Sequence, residues 1–187
     1  MQDLLAELTS GDDERAEKSV FKIVQLGTAI IPDLLNLTRA QAVDSRWWAV
    51  RALAAFPNPQ PENLIPLLYD SAPEVRAAAA LALCHHPHQN AVAALIKTLA
   101  DSDPLTAGLA GKALVKIGSP AVPSLLGVAQ DAPIGIRIVA LRALSEIGDH
   151  RAIPLMMKCT SEDSAILQYW AQEGLNRLGL NMVYLMP

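Results

Sequence analysis

A chain of 187 residues with 51% hydrophobic but only 4% aromatic side chains is long enough to bury a core, and its alanine and leucine content favours helix over sheet. Its net charge of −4 gives no general attraction to phosphate backbones or anionic lipid, which disfavours nucleic acid and membrane surfaces as partners. No apolar run approaches the ~18 to 20 residues of a membrane span, the acidic start MQDLLAELTSGDDERAEK is unlike a signal peptide, and Cys84 and Cys159 fit no zinc or redox spacing; the expectation is a soluble, cytoplasmic protein with reduced thiols.

Taken in chain order, short apolar-periodic segments end alike: KIVQLG at Gly27, RALAAFP at Pro57, LALCHHP at Pro87, KALVKIG at Gly118, RALSEIG at Gly148 and LNRLG at Gly179. Successive ends lie 30, 30, 31, 30 and 31 residues apart, a register that only a repeat architecture keeps along a whole chain. The expected units are 1–27, 28–57, 58–87, 88–118, 119–148 and 149–179, with 180–187 as a C-terminal cap, all within one domain spanning 1–187. The first unit carries Asp12, Asp13, Glu14 and Glu17, a polar face suited to the start of a stack.

Each later unit opens with a short apolar segment (AIIPDLLNLT, ENLIPLLYD, AVAALIKTLA, AVPSLLGVAQ, RAIPLMMKCT), often passes through an acidic turn such as ADSDP or SEDS, and continues as a longer helical pattern stopped by Gly or Pro. Pro32, Pro66, Pro123 and Pro154 fall near the starts of the short segments, where a missing N–H costs little. Every unit therefore reads as a helical hairpin. No hairpin of this size buries its apolar face alone, so the hairpins must stack, and the expected fold is an all-α, right-handed curved α-solenoid.

Counting back from each terminal Gly or Pro, the positions 12, 8, 5, 4 and 1 before it are nearly always small or apolar and form one stripe at ~100° per residue. In the fifth unit these are Ile136, Ala140, Ala143, Leu144 and Ile147, which are expected in the core. Arg46, Arg76 and Arg137 all stand eleven before the terminus, at the edge of the stripe, where they would bond the acidic turn or the carbonyls of a neighbouring unit. Units 1, 4 and 6 carry Ala16, Ala107 and Gln168 there instead.

Cys84, His85, His86 and His88 crowd the end of the third unit. Adjacent histidines on a helix point about 100° apart and do not converge on an ion as an i, i+4 pair would, so no metal is expected; the histidines suit the negative end of a helix dipole. No glycine-rich phosphate loop, G-x-S-x-G elbow or other catalytic constellation is present. No catalytic residue and no cofactor is expected.

The pattern D-P-x-V-R-x-x-A-x-x-A-L-x-x-I-G, best seen in PEVRAAAALAL and IRIVALRALSEIG, resembles the short HEAT-like repeats of the phycobilin lyase type, over nearly the whole chain. That resemblance implies that the second helices line a concave face. It does not carry over the iron site of deoxyhypusine hydroxylase, another bearer of the repeat, because that site is built from His-Glu dipeptides and none occurs in this sequence.

On the face implied to be concave stand Trp47, Trp48 and Arg51; Ala77, Ala78, Leu81 and His85; Leu109, Lys112 and Lys116; Ile138, Val139, Arg142 and Glu146; and Tyr169, Trp170, Glu173 and Arg177. A solvated face would not gather every tryptophan of the chain. The first reading is a non-catalytic scaffold that holds a partner protein's helix or peptide, with Trp47 and Leu81 as apolar contacts and Arg51, Lys112 and Arg142 pairing with acidic groups. Trp48, Leu109, Ile138, Tyr169, Trp170 and Glu173 complete the expected binding face. The alternative is a bilin lyase- or isomerase-like or phycobilisome-related factor whose groove holds a linear tetrapyrrole, its propionates meeting the same cations. A third reading, a HEAT-like base glycosylase, would need a basic concavity and conflicts with the acidic total.

Overall fold

The computed structural model describes residues 2–180. Leucine and alanine dominate, the prolines stand at helix starts, and Gly closes most of the longer helices, so the chain forms α-helices and short 3-10 turns, with no strand among the described residues. The class is all-α, of the α-solenoid type. Of the segment 180–187 expected to cap the last unit, residues 181–187 lie outside the described residues.

Two compact units divide at His86 and Pro87. In the first, α1 (Gln2–Leu8) pairs with α2 (Asp13–Gln25), α3 (Ile31–Leu37) with α4 (Val43–Ala54), and α5 (Pro61–Leu64), continued by a 3-10 segment Ile65–Tyr69, with α6 (Pro73–His85). The longer helices α2, α4 and α6 stack on one another in that order. In the second unit, α7 (Val92–Thr98) pairs with α8 (Pro104–Ile117), α9 (Val122–Asp131) with α10 (Ile134–Ile147), and α11 (Ile153–Cys159) with α12 (Ala165–Arg177). There α8, α10 and α12 form the stack.

The stacking follows from two registers in the longer helices. Eight residues before each terminus stand Ser19, Ala49, Ala79, Ala110, Ala140 and Ala171, all fully buried; small side chains there let neighbouring helices approach. Four before it stand Ile23, Leu53, Leu83, Leu114, Leu144 and Leu175, all essentially inaccessible, each stabilising the fold by about 1.5 to 3 kcal/mol through burial. Ala140, Ala143 and Leu144 are buried as the periodicity requires, whereas Ile136 and Ile147 are only half-buried. The latter two occupy the first and last turns of α10.

Helix starts are capped from the acidic turns. Asp12 accepts the Arg15 N–H at 3.0 Å; Asp103 accepts the Thr106 N–H at 2.8 Å and its hydroxyl at 2.6 Å. Helix α10 stops at Gly148, whose φ of 68° and ψ of 35° are left-handed, a conformation that side chains with a Cβ resist.

The recurrent arginines do tie turns together. Arg46 donates from Nε and Nη2 to the two carboxylate oxygens of Asp70, both at 2.8 Å, and from Nη1 to the carbonyls of Ala40 and Gln41 at 3.0 and 2.9 Å. Arg76 donates to the carbonyls of Asp70 and Ser71. Arg137 donates to both oxygens of Glu162 at 2.6 and 2.8 Å and to the Ala129 carbonyl at 2.9 Å. In the last hairpin Gln168 keeps part of the pattern, donating to the Glu162 carbonyl at 2.6 Å.

These bonds set a pH dependence. Burial alone would push the Asp70 carboxyl up, but the Arg46 guanidinium and the Ala72 N–H together hold it below its ordinary value; Arg137 does the same for Glu162. Both carboxylates therefore stabilise the fold in full above the unfolded-state carboxylate range near about 4, and that stabilisation is lost as pH falls through their own lower values. The melting temperature is expected to stay level from about pH 7 to about pH 5 and to drop below about pH 4. The drop should shrink in Glu162→Gln; a profile that stays flat deep into acid would contradict the assignment.

Candidate functional site

The outward faces of the longer helices are described unit by unit. In the first, Trp47 is half-buried and meets Trp48 edge to face, their ring centroids 4.9 Å apart at 88°. Trp48 is only 8% exposed, and Trp47 alone of the pair offers a surface. Ala77 is buried and Ala78 half-buried, while Leu81 is 44% exposed. Arg51 is not a free cation, because its Nη2 donates to Glu17 of α2.

The same register in the first hairpin places Phe21 six before Gly27 and Glu17 ten before it. Phe21 is 65% exposed, so Phe21, Arg51 and Leu81 share one register position on α2, α4 and α6. Sequence reasoning reads Glu17 only as part of the polar first unit and passes over Phe21, because it follows the stripe from the second unit onward; the register count would have found both positions.

In the second unit α8, α10 and α12 enclose a cleft of about 180 Å³. Gly108, Gly111 and Val115 supply one wall from α8, Ile138, Val139 and Ala143 another from α10, and Trp170 the third from α12; Lys112, Arg142 and Glu146 are its polar members. The residues from α8 are spaced by three and four and so share one helix face. Gly111 is a close-approach position: a Cβ there would lie 2.9 Å from a methyl of Val139, and its absence lets α10 settle against α8.

Charge is arranged asymmetrically around this cleft. Arg142 donates to Glu146 one turn along at 2.7 Å and lies over the Trp170 ring, 5.1 Å from its centroid. Tyr169 meets Trp170 at 5.0 Å and 75° and is itself 57% exposed. Lys112 is exposed and, among the described residues, forms no ion pair. Glu173 is taken up by Arg177 at 2.8 Å.

Of the expected binding residues, the cleft thus unites Lys112, Ile138, Arg142 and Trp170. Half-buried Leu109, exposed Tyr169 and Glu173 lie outside its lining, and Trp47, Trp48, Arg51 and Leu81 belong to the other unit. Gly108 and Gly111 were not singled out by sequence, since a search for binding groups looks for side chains and these residues act by lacking them.

The histidine cluster closes α6. His85 is exposed, the His86 Nε2 lies 2.9 Å from the Ala54 carbonyl, and the His88 Nδ1 accepts the Asn90 N–H at 3.2 Å. Each ring that is engaged has its own partner, and among the described residues no three His, Cys, Asp or Glu side chains gather for a metal. Cys159 is buried; burial pushes its thiol up, and the thiol faces Glu162 at 3.6 Å. No single helix among the described residues is long and apolar enough to cross a membrane.

Comparison with known proteins finds HEAT repeats in the chain. The model of HEAT repeats matches residues 61–137, and that of the PBS lyase HEAT-like repeat matches 136–162. The chain is 37% identical over 105 residues to a phycobilisome maturation protein of Synechococcus elongatus, covering 56% of this chain and 50% of that protein. It is 34% identical over 89 residues to a phycocyanobilin lyase subunit beta of Nostoc sp., covering 47% and 44%. The chain spans about half the length of the curated relatives it matches. Among solved structures, the complex of CpcE and CpcF of phycocyanin lyase from Nostoc sp. aligns with a TM-score of 0.55 at 21% identity, over 94% of this chain and 76% of that one, a likeness of fold. With its matched repeats, its paired helices and the two small-and-large registers that stack them, the chain is a HEAT-like repeat protein, and its residues 136–162 are of the PBS lyase HEAT-like repeat type.

Proposed function

We propose that this protein is a bilin-handling factor of phycobilisome maturation, one that seats part of a linear tetrapyrrole in the α8–α10–α12 cleft and works with a protein partner. The observation that carries this reading is the coincidence of an apolar cleft, rimmed by Lys112 and Arg142, with relatives named for phycobilisome maturation and for a phycocyanobilin lyase subunit. A linear tetrapyrrole is a flat conjugated chain with propionate arms: Ile138, Val139 and Trp170 suit the first, and Lys112, which among the described residues forms no ion pair while Arg142 is held by Glu146, suits the second. At about 180 Å³ the cleft is smaller than the ~300 to 1,000 Å³ usual for a pocket that engulfs its ligand, so part of the tetrapyrrole stays outside it. Among the described residues no serine, cysteine or histidine lines the cleft, and its one carboxylate, Glu146, is held by Arg142, which supports binding and presentation over bond making by this chain alone. That one relative is named as a lyase subunit supports a second protein in the assembly.

Titrating the purified protein with phycocyanobilin should shift the pigment's absorbance and saturate. Trp170→Ala should weaken binding at least tenfold, on the order of the ~2 kcal/mol that buried aromatic anchors supply. Lys112→Ala should weaken it by an amount that fades as salt is raised. No spectral change with the parent protein, or undiminished binding by a variant that combines Trp170→Ala with Lys112→Ala, would refute the reading.

A further inference from the structure

The residue ten before the helix end is Glu17, Trp47, Ala77, Gly108, Ile138 and Tyr169 in the six hairpins. Only in α8 does this outward register carry no side chain. We infer that Gly108 sets the opening of the cleft and so determines what can enter it; as a statement about ligand choice this rests on the function proposed above.

The two glycines of α8 do different things. Gly111 is buried, and a Cβ on it would strike Val139, so it is needed for helix packing. Gly108 is exposed, and a Cβ built on it meets nothing within 4 Å, while its backbone lies in ordinary helix. Packing therefore gives no reason for glycine at 108, and helix propensity argues against it, since glycine weakens a helix interior relative to alanine or leucine. What glycine does provide is space, at a position that lines the cleft together with Lys112, Ile138 and Trp170. A side chain of the size found at this register in α4 or α10 would project over that space. The ligand class that fits is a flat apolar group with an anionic arm, admitted between Gly108 and Trp170 with Lys112 at its edge.

The test is Gly108→Leu, with Gly108→Ala as the smaller step that remains available if leucine is poorly accommodated. Both should melt at or above the parent. Two readouts are taken: phycocyanobilin affinity, and acrylamide quenching of Trp170, isolated by comparing each protein with its Trp170→Phe counterpart. Leucine should lower affinity at least tenfold and shield Trp170, with alanine intermediate in both. A folded Gly108→Leu variant that binds as the parent does overturns the inference and leaves the proposed function standing. If the parent takes up no phycocyanobilin, the proposed function fails separately and the quenching decides: an unshielded Trp170 overturns the role of Gly108, and a shielded one sustains it as the residue that sets the opening.

Discussion

Replacing Arg46 with alanine should lower the unfolding free energy by about 3 to 5 kcal/mol, read as a shift of the urea midpoint. The side chain is 10% exposed and its partner Asp70 9%, so the pair is largely out of water and its loss is not softened by screening. The guanidinium fork meets Asp70 on both oxygens and also serves the carbonyls of Ala40 and Gln41. Alanine would leave a buried carboxylate and two carbonyls without these donors. Lysine should not rescue, because a single ammonium cannot present the planar fork. Arg142→Ala is the internal contrast: its bond to Glu146 is an exposed i, i+4 pair, worth about 0.3 to 0.5 kcal/mol. Equal effects from the two substitutions would show that the ladder carries no special share of the stability.

The ladder also shows which parts of the molecule can be read before folding is known. Arg46, Arg76 and Arg137 were visible because a repeat displays the same interaction several times, and a recurrent charge at the edge of an apolar stripe has few physical uses. The core was legible for the same reason: alanine at one register and leucine at another are requirements of stacking. Gly174 marks where this logic stops. It stands five before its terminus, where Ala52, Ala82, Ala113 and Ala143 stand in their own hairpins, and a Cβ there would lie 2.6 Å from the Met156 methyl carbon and 3.2 Å from the Ser145 Cα. That exchange of volume between α11 and α12 is a matter of tertiary fit and has no signature in one helix.

The cleft is illegible for a related reason. Its walls come from α8, α10 and α12, and its existence depends on the absence of a side chain at Gly108 and on the close approach at Gly111. Helical periodicity identified the face and therefore Lys112, Ile138, Arg142 and Trp170. It leaves open that Trp48 turns inward while its neighbour Trp47 stays half-exposed, because Trp48 stands at the edge of the stripe, about 100° round the helix from Trp47, where the position of the neighbouring helices decides what is covered. Nor could it tell that Arg51 is engaged by Glu17, a contact between residues 34 apart in sequence.

That boundary yields the second large effect. Leu144→Ala should cost about 2 to 5 kcal/mol, because Leu144 is fully buried in α10 beside Ala140 and Ala143 and the surrounding helices can close only part of the space it leaves. Trp47→Ala removes a larger side chain and should cost far less. Trp47 is half-exposed already, so truncation empties no enclosed volume, and the lost edge-to-face contact with Trp48 is worth about 0.5 to 1.5 kcal/mol. The order of effects is thus opposite to the order of side-chain size, which separates burial from bulk. Denaturant titration of the two variants beside the parent measures it directly. If Trp47→Ala unfolds the protein as readily as Leu144→Ala does, Trp47 belongs to the packing of α4, and the outward face of the first unit keeps Phe21 but loses its tryptophan as a residue that could serve a partner.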